Sequence, residues 1–172
     1  MNIDALLADA LTRVREQVPA VVGGLDEDDL AWRPDPDANS IAWLIWHLTR
    51  VADDHVAEVA GTDQVWTSDG WHQRFALPFP AADHGYGHSS ADVAAVRVPS
   101  DLLAGYHDAV AEAILAYVGT LSPSDLDRVV DEHWDPPVTL GVRLVSVVND
   151  ATQHLGQAAY LRGLIERGHM SR

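Results

Sequence analysis

With 172 residues, of which 47 % are hydrophobic, the chain has the length of one domain and too much apolar material for a disordered protein. Its formal net charge of −15 argues against nucleic acid and anionic membranes as partners, because both are bound through clustered basic residues. The absence of cysteine excludes disulfides, thiolate metal ligands and a cysteine nucleophile, so any metal must be held by imidazole and carboxylate groups.

The N-terminal stretch MNIDALLADALTRVREQV mixes charged residues into a helical apolar pattern. It lacks the basic start, apolar centre and cleavage site of a signal peptide. No apolar run elsewhere approaches the roughly 20 residues that span a bilayer. We therefore predict one domain over residues 1–172, located in the cytoplasm and not bound to a membrane.

Apolar residues recur at helical spacing in four segments: residues 3–18, 41–61, 101–121 and 143–167. Pro19 is expected to end or kink the first helix, Ser40 to cap the second and Ser100 to cap the third. Gly61 and Gly168 are expected to end the second and fourth helices. Four amphipathic helices with almost no two-residue alternation predict an all-α protein, a four-helix bundle.

The segment 62–98 matches none of these helices but is rich in aromatic residues. A connection of this length is usually functional or disordered, and its aromatic residues argue against disorder. We predict an ordered excursion between the second and third helices, packed over one end of the bundle, with one short helix near residues 68–75. Residues 122–141 are predicted to form an irregular connector.

Polar residues interrupt the apolar stripes of the second and fourth helices. Asp150 and His154 lie one turn apart on the fourth helix, and His47 follows Trp43 by one turn on the second. Burying such groups without partners costs several kcal/mol, a cost that a divalent metal would remove. His47, Asp150 and His154 are therefore candidate metal ligands. Three nitrogen and oxygen ligands leave coordination positions open, as in catalytic rather than structural sites.

Other interpretations of these residues remain open from spacing alone. Asp150 and His154 can form a hydrogen-bonded pair or be solvated, and His47 can be a core histidine with a satisfied ring. Asp53 and Asp54 are expected on a solvated face. Individually, five further histidines are interpreted as surface or loop residues: His55, His72, His84, His88 and His133. For His107 a core, a site-supporting and an exposed position all remain open.

The motifs SIAWLIWHLTRVADDH and RLVSVVNDATQHLGQAAYLRGLI, with GWHQRF, YHDAV and WDPPVT, resemble the DinB-like superfamily. The likeness covers residues 3 to 167. It is closest to the actinobacterial branch that includes the N-terminal domain of mycothiol-dependent maleylpyruvate isomerase and the mycothiol S-transferases. The resemblance implies a four-helix bundle with up-down-down-up topology. It also implies a divalent metal, commonly zinc or nickel, held by three side chains at one end.

The resemblance assigns the family's helix-two histidine to His47 and the last histidine of its helix-four motif to His154. Many members carry histidine four residues earlier, where this chain has Asp150; the isomerase branch carries an acidic residue there. Aspartate is shorter than glutamate, so its carboxylate reaches less far. The resemblance therefore leaves two possibilities for Asp150: direct ligation of the metal, or ligation through a water. Gln157, in the family's GQ motif, is expected to support the site rather than to ligate.

The activity implied by the resemblance is thiol transfer. An open divalent metal lowers the pKa of a bound thiol and holds it as a nucleophile. Since the chain has no cysteine, the thiol must be a small-molecule cosubstrate, which in this branch is mycothiol. Arg143, two turns before Asp150, is predicted to be a catalytic residue that orients an anionic group. The alternative is that Arg143 pairs with a surface carboxylate.

Two other functions stay open. A metal-dependent hydrolase would use the same metal with a carboxylate such as Asp54 as base. A non-enzymatic metal-binding stress-response protein, assembled as a homodimer, would need no substrate. Under the preferred interpretation the partners are a small-molecule thiol and an electrophile, and the segment 62–98 shapes the electrophile pocket.

Overall fold

The computed structural model describes residues 3–168. In chain order its elements are α1 (Ile3–Val22), α2 (Glu27–Ala31), α3 (Ile41–Ala60), α4 (Val65–Ser68), α5 (Trp71–Phe75), α6 (Ser90–Ala95), α7 (Ser100–Val118), a 3-10 helix (Pro123–Asp127), β1 (Val129–Asp131), β2 (Val138–Thr139) and α8 (Leu140–Glu166). Helices α1 and α3 each pack against both α7 and α8. The predicted all-α bundle is confirmed. Over the described residues, no helix combines the length and apolar character needed to cross a membrane.

The helix boundaries follow from their caps. The Ser40 hydroxyl accepts a hydrogen bond from the Trp43 N–H at 3.2 Å, and Gly61 ends α3 in the left-handed conformation with φ 69°, as predicted. The Thr139 hydroxyl caps α8, which therefore begins at Leu140, three residues before the predicted start. In α7 the prediction was wrong by one position, since Pro99 is the N-cap and Ser100 is the first helical residue.

Helix α1 does not end at Pro19. It continues one turn to Val22, although a proline inside a helix lacks one backbone hydrogen bond. Val21 and Val22 are 6 % and 1 % exposed, so burial of apolar side chains holds this last turn in place.

The segment 62–98 is ordered, as predicted, and contains the short helices α4, α5 and α6. Trp66, Trp71 and Phe75 are buried and pack around the ring of Tyr106 on α7. This packing covers a face of α3 that an amphipathic helix would leave to solvent. Accordingly, every residue from 41 to 50 is buried.

The connector 122–141 is more regular than predicted. It contains the 3-10 helix and the antiparallel pair β1–β2. The paired positions include Val129, Val138 and Thr139, whose branched side chains favour extended backbone.

Asp53 was predicted to be solvated, and this is wrong: its exposed fraction is 3 %. Its carboxylate accepts hydrogen bonds from the backbone N–H groups of Val65 and Trp66 at 2.9 and 2.8 Å, and from the Tyr106 hydroxyl at 2.7 Å. The fully buried Arg50 guanidinium lies 3.6 Å away. Asp53 therefore joins α3 to α4 and α7 in the interior.

Arg50, also on α3, binds a later part of the segment 62–98 to this helix. Its Nε donates to the carbonyl of Asp83 at 3.1 Å, and its Nη1 donates to Gln64 Oε1 at 2.9 Å. Since Asp83 directly precedes His84, this network positions the backbone that reaches the site described below.

His107 is a core residue of α7 and gives the fold an acid-sensitive position. The Thr49 hydroxyl donates to the carbonyl of Ile45 at 2.7 Å, so its oxygen accepts the Nδ1–H of His107 at 3.1 Å. The Nε2 lone pair is then buried without a partner. Burial lowers the pKa of His107 from 6.5 to about 4, because a protonated Nε2 would find no acceptor.

We predict that the protein loses stability on acidification through this histidine. The unfolded chain binds the proton near pH 6.5 and the folded chain only near pH 4, so the free energy of unfolding falls as the pH drops between these values. The loss amounts to about 3 kcal/mol by pH 4. Urea unfolding at pH 7 and pH 4.5 of wild type and His107→Phe checks this. An equal acid loss in both proteins would contradict it.

Candidate metal site

Three side chains from two helices converge where α3 packs against α8. His47 comes from α3, and Asp150 and His154 come from one turn of α8; one ligand atom from each lies within 4.8 Å of the others. The two imidazole rings are 5.0 Å apart between centroids. His47 is 7 % exposed, whereas the side chains of His154 and Asp150 are 20 % and 30 % exposed. The cluster is thus buried on one side and accessible from the other.

Hydrogen bonds set the tautomers of both histidines. His47 Nδ1 lies 2.6 Å from the carbonyl oxygen of His84, which can only accept, so Nδ1 carries the proton. His154 Nδ1 donates to Gln157 Oε1 at 2.9 Å, which is the supporting role expected for Gln157. Both rings therefore keep the Nε2 lone pair free. Outer hydrogen bonds of this kind orient histidines that bind metals.

Asp150 completes a donor set that fits a divalent metal. Its Oδ1 lies 3.4 Å from His154 Nε2, and its Oδ2 is buried without a hydrogen-bond partner. Two ligands of one tetrahedral zinc ion, each about 2.1 Å from the metal, lie about 3.4 Å apart. The observed separation is thus compatible with direct ligation by Asp150.

The two histidines differ electrostatically. Burial lowers the pKa of His47, which favours the neutral form that a metal requires. In the protonated form of His154 the Nε2–H faces the Asp150 carboxylate and can donate to it, and this interaction raises the pKa of His154. Cations therefore compete with a proton chiefly at His154, and the carboxylate that attracts the proton also attracts the metal.

The segment 62–98 approaches His47 through its backbone. Gly85 follows the carbonyl that His47 contacts and has a φ of 92°, a conformation that favours glycine. A Cβ atom at this position would lie 2.9 Å from His47 Nδ1 and 3.0 Å from the Trp46 ring. Glycine is required here because no side chain fits between the segment and the histidine.

A second set of contacts holds this part of the segment 62–98 beside His47. Asp83 accepts from the Gly85 N–H at 2.9 Å and from His88 Nε2 at 3.1 Å. His88 Nδ1 accepts from the Trp43 indole N–H at 3.1 Å, and the Trp43 ring stacks on His47 with centroids 4.5 Å apart. The loop and the ring of His47 are thus held from both sides.

We predict that Gly85→Ala weakens metal binding by about 10-fold, in the range for lost supporting contacts, because the methyl group displaces His47 or its carbonyl partner. Gly87→Ala is the matched control: Gly87 also has a positive φ, 76°, but a Cβ there meets nothing within 4 Å. Both variants carry the backbone strain, so both lose some stability. Competition titration with a zinc chelator should show weaker affinity in Gly85→Ala alone. Equal affinities in the two variants would contradict the close approach.

A cavity of about 170 Å³ opens beside the cluster. Its walls come from α3, α8 and the segment 62–98: His47, Val51, Asp54, His55, His84, Tyr86 and Asp150. Pockets for drug-sized ligands usually have about 300–1,000 Å³, more than this cavity offers. It therefore accommodates the reacting ends of small molecules rather than whole large ones. A larger cavity of about 440 Å³ lies between α3 and α7 and contains none of the three candidate ligands.

Arg143 lies near the start of α8 and has two partners. Its Nη2 donates to Asp131 Oδ2 on β1 at 3.1 Å, and its Nη1 donates to His55 Nδ1 at 3.2 Å. The carboxylate pairing considered from the sequence is therefore present. Direct contact of Arg143 with an anionic substrate stays a prediction.

Two residues of the cavity were missed as site residues by sequence reasoning, His55 and His84. His55 follows His47 by eight residues on α3, and this spacing places it near the same face of the helix. His84 reaches the site only through the path of a long connection, for which the sequence has no comparable pattern. Trp134, which lies in the connector 122–141, has an exposed fraction of 66 %.

A helical bundle with two histidines and a carboxylate converging beside a small cavity has the construction of a metal-binding bundle. The sequence matches the Mycothiol-S-transferase family over residues 6–167, and the chain belongs to this family. The resemblance found in the sequence motifs is thereby confirmed. No curated protein matches the chain significantly.

A solved relative has the same fold. The crystal structure of a conserved protein from Enterococcus faecalis superposes with a TM-score of 0.90 at 32 % sequence identity. The match covers 97 % of this chain and 99 % of that protein.

Proposed function

We propose that the protein is a metal-dependent thiol S-transferase that uses mycothiol as its thiol cosubstrate. The observation that carries the proposal is the convergence of His47, Asp150 and His154 beside a cavity, in a chain of the mycothiol S-transferase family. The homodimer considered from the sequence and the cytoplasmic location both remain predictions.

The Nε2 atoms of His47 and His154 and the carboxylate of Asp150 would hold the metal, for which zinc or nickel suits the two imidazoles and one carboxylate. A divalent cation in this position lowers the pKa of a thiol and favours the thiolate. Because the chain has no cysteine, that thiol comes from solution.

The cavity walls would orient the two substrates. Tyr86 is 87 % exposed and marks the outer edge of the cavity, so the remainder of mycothiol would extend past it into solvent. The reacting sulfur forms a bond to an electrophilic carbon held in the cavity. The electron pair displaced from that carbon leaves with a leaving group or moves onto a conjugated acceptor atom.

The test is a thiol-transfer assay with zinc- or nickel-loaded protein, mycothiol and a set of electrophiles. We expect product formation that requires both thiol and metal, and none without either. Consumption of electrophile at the same rate without thiol would favour the hydrolase, for which Asp54 lies in the cavity wall. Tight metal binding without turnover of any electrophile would favour the non-enzymatic protein.

A further inference from the structure

His55 has a defined tautomer. Its Nδ1 lies 3.2 Å from Arg143 Nη1. A guanidinium can only donate hydrogen bonds, so Nδ1 must accept, and the neutral ring must carry its proton on Nε2. Arg143 is itself held by Asp131 at 3.1 Å, so the donor that sets the tautomer is fixed in place.

The ring is also kept neutral. Burial lowers the pKa of His55, and the positive charge of Arg143 lowers it further. The carboxylates of Asp54 and Glu58 act in the opposite direction but are the smaller influences. Near pH 7 His55 is therefore an uncharged donor, not an imidazolium that would compete with a cation.

The Nε2–H of His55 is available to a ligand. Within residues 3–168 it makes no hydrogen bond. The atom is not fully buried, so solvent or a ligand can reach it. His55 lines the same cavity as His47 and Asp150. Because Arg143 engages Nδ1, the Nε2–H is the donor that His55, a residue of the cavity wall, has left for a ligand.

We propose that His55 donates its Nε2–H to an oxygen of the electrophile, and that the preferred substrates are electrophiles whose oxygen gains negative charge as the sulfur–carbon bond forms. Conjugated carbonyl compounds belong to this class and simple alkyl halides do not. Arg143 acts as a positioning residue through His55. This inference rests on the proposed transferase function.

For a conjugated carbonyl compound the step balances as follows. The thiolate sulfur bonds to the β-carbon, the electron pair of the carbon–carbon double bond forms a new double bond between the α-carbon and the carbonyl carbon, and the carbonyl π pair moves onto the oxygen. That oxygen accepts the His55 hydrogen bond without taking the proton. Solvent water then protonates the α-carbon, which restores the proton that the thiol lost to solvent on ionisation.

Two substitutions separate the functions of the two ring nitrogens. The amide oxygen of His55→Asn can still accept from Arg143, but its N–H does not reach the position of Nε2. The longer His55→Gln places an amide N–H near that position. We expect His55→Asn to lower kcat/KM for an enone by about 100-fold, at the lower end of the range for lost donors to a developing oxyanion. His55→Gln should recover most of this loss.

An alkyl chloride of similar size is the internal control, because chloride departs and no oxygen gains charge. Its kcat/KM should fall by a smaller factor than that of the enone in His55→Asn, so the ratio of the two values should drop and should recover in His55→Gln. The metal content of each variant is measured alongside. The tautomer is measured independently by ¹⁵N NMR of imidazole-labelled protein, with protonated Nε2 expected in wild type and a mixture of tautomers in Arg143→Met.

Equal losses for the two electrophiles, or a proton on Nδ1 in the wild type, would overturn the assignment of His55 and leave the transferase function standing. A wild type that binds metal but transfers thiol to neither electrophile would overturn the transferase function, and this inference with it.

Discussion

His47→Ala and His154→Ala should each abolish stoichiometric metal binding and, with it, thiol transfer. Four-ligand structural zinc sites gain about 10–16 kcal/mol, so one ligand contributes on the order of 3 kcal/mol, a factor of more than about 100 in affinity. Within residues 3–168 three candidate ligands converge at this site, so the loss of one leaves two. Isothermal titration with zinc, before and after each substitution, measures the effect.

Gln153→Ala is the matched control for His154→Ala. Gln153 precedes His154 on α8 but is exposed, and adjacent residues of a helix lie on different faces. Its affinity for zinc and its thiol-transfer rate should match those of the wild type. Retention of wild-type zinc affinity by either histidine variant would show that the metal binds elsewhere.

The second large effect concerns stability. Asp53→Ala should lower the free energy of unfolding by about 3–5 kcal/mol, the usual cost of leaving a buried charge without its partner. The charge in question is Arg50, which is fully buried and 3.6 Å from the Asp53 carboxylate. The N–H groups of Val65 and Trp66 would also lose their acceptor. For a domain of this size the melting temperature should fall by about 10 °C.

Asp9→Ala provides the comparison, because Asp9 pairs with Arg13 on the surface of α1. Exposed pairs contribute little, so this variant should melt close to the wild type. Asp53→Ala should in addition bind metal more weakly, since Arg50 holds the carbonyl of Asp83 beside the loop that contacts His47. Equal melting temperatures for the two variants would contradict the structural role of the buried pair.

The bundle was predictable because helical periodicity and caps are local properties of the sequence. The pair Asp150 and His154 could be recognised from its spacing alone, since one turn of one helix brings the two groups together. The apolar stripe of the second helix also made His47 a candidate, but the resemblance was needed to place that helix beside the fourth, because periodicity does not say which helices are neighbours. The early start of α8 was missed because Thr139 was assigned to the connector.

The errors at Asp53 and His84 share one physical cause, the path of the segment 62–98. Asp53 was assigned to a solvated face because an amphipathic helix usually has one, but α4 covers that face and provides the N–H donors. His84 comes to His47 across 37 positions of the chain, a distance over which no sequence period applies. Long connections place residues through tertiary packing, which single-sequence patterns do not encode.

The transferase function requires that a thiol bind a metal held by His47, Asp150 and His154. The most direct measurement is the absorption spectrum of cobalt-substituted protein during titration with mycothiol. We expect one bound cobalt per chain and a thiolate-to-cobalt charge-transfer band that saturates with one equivalent of thiol and is absent in His154→Ala. A wild-type protein that binds no cobalt, or binds it without a change of spectrum on thiol addition, would contradict the claim.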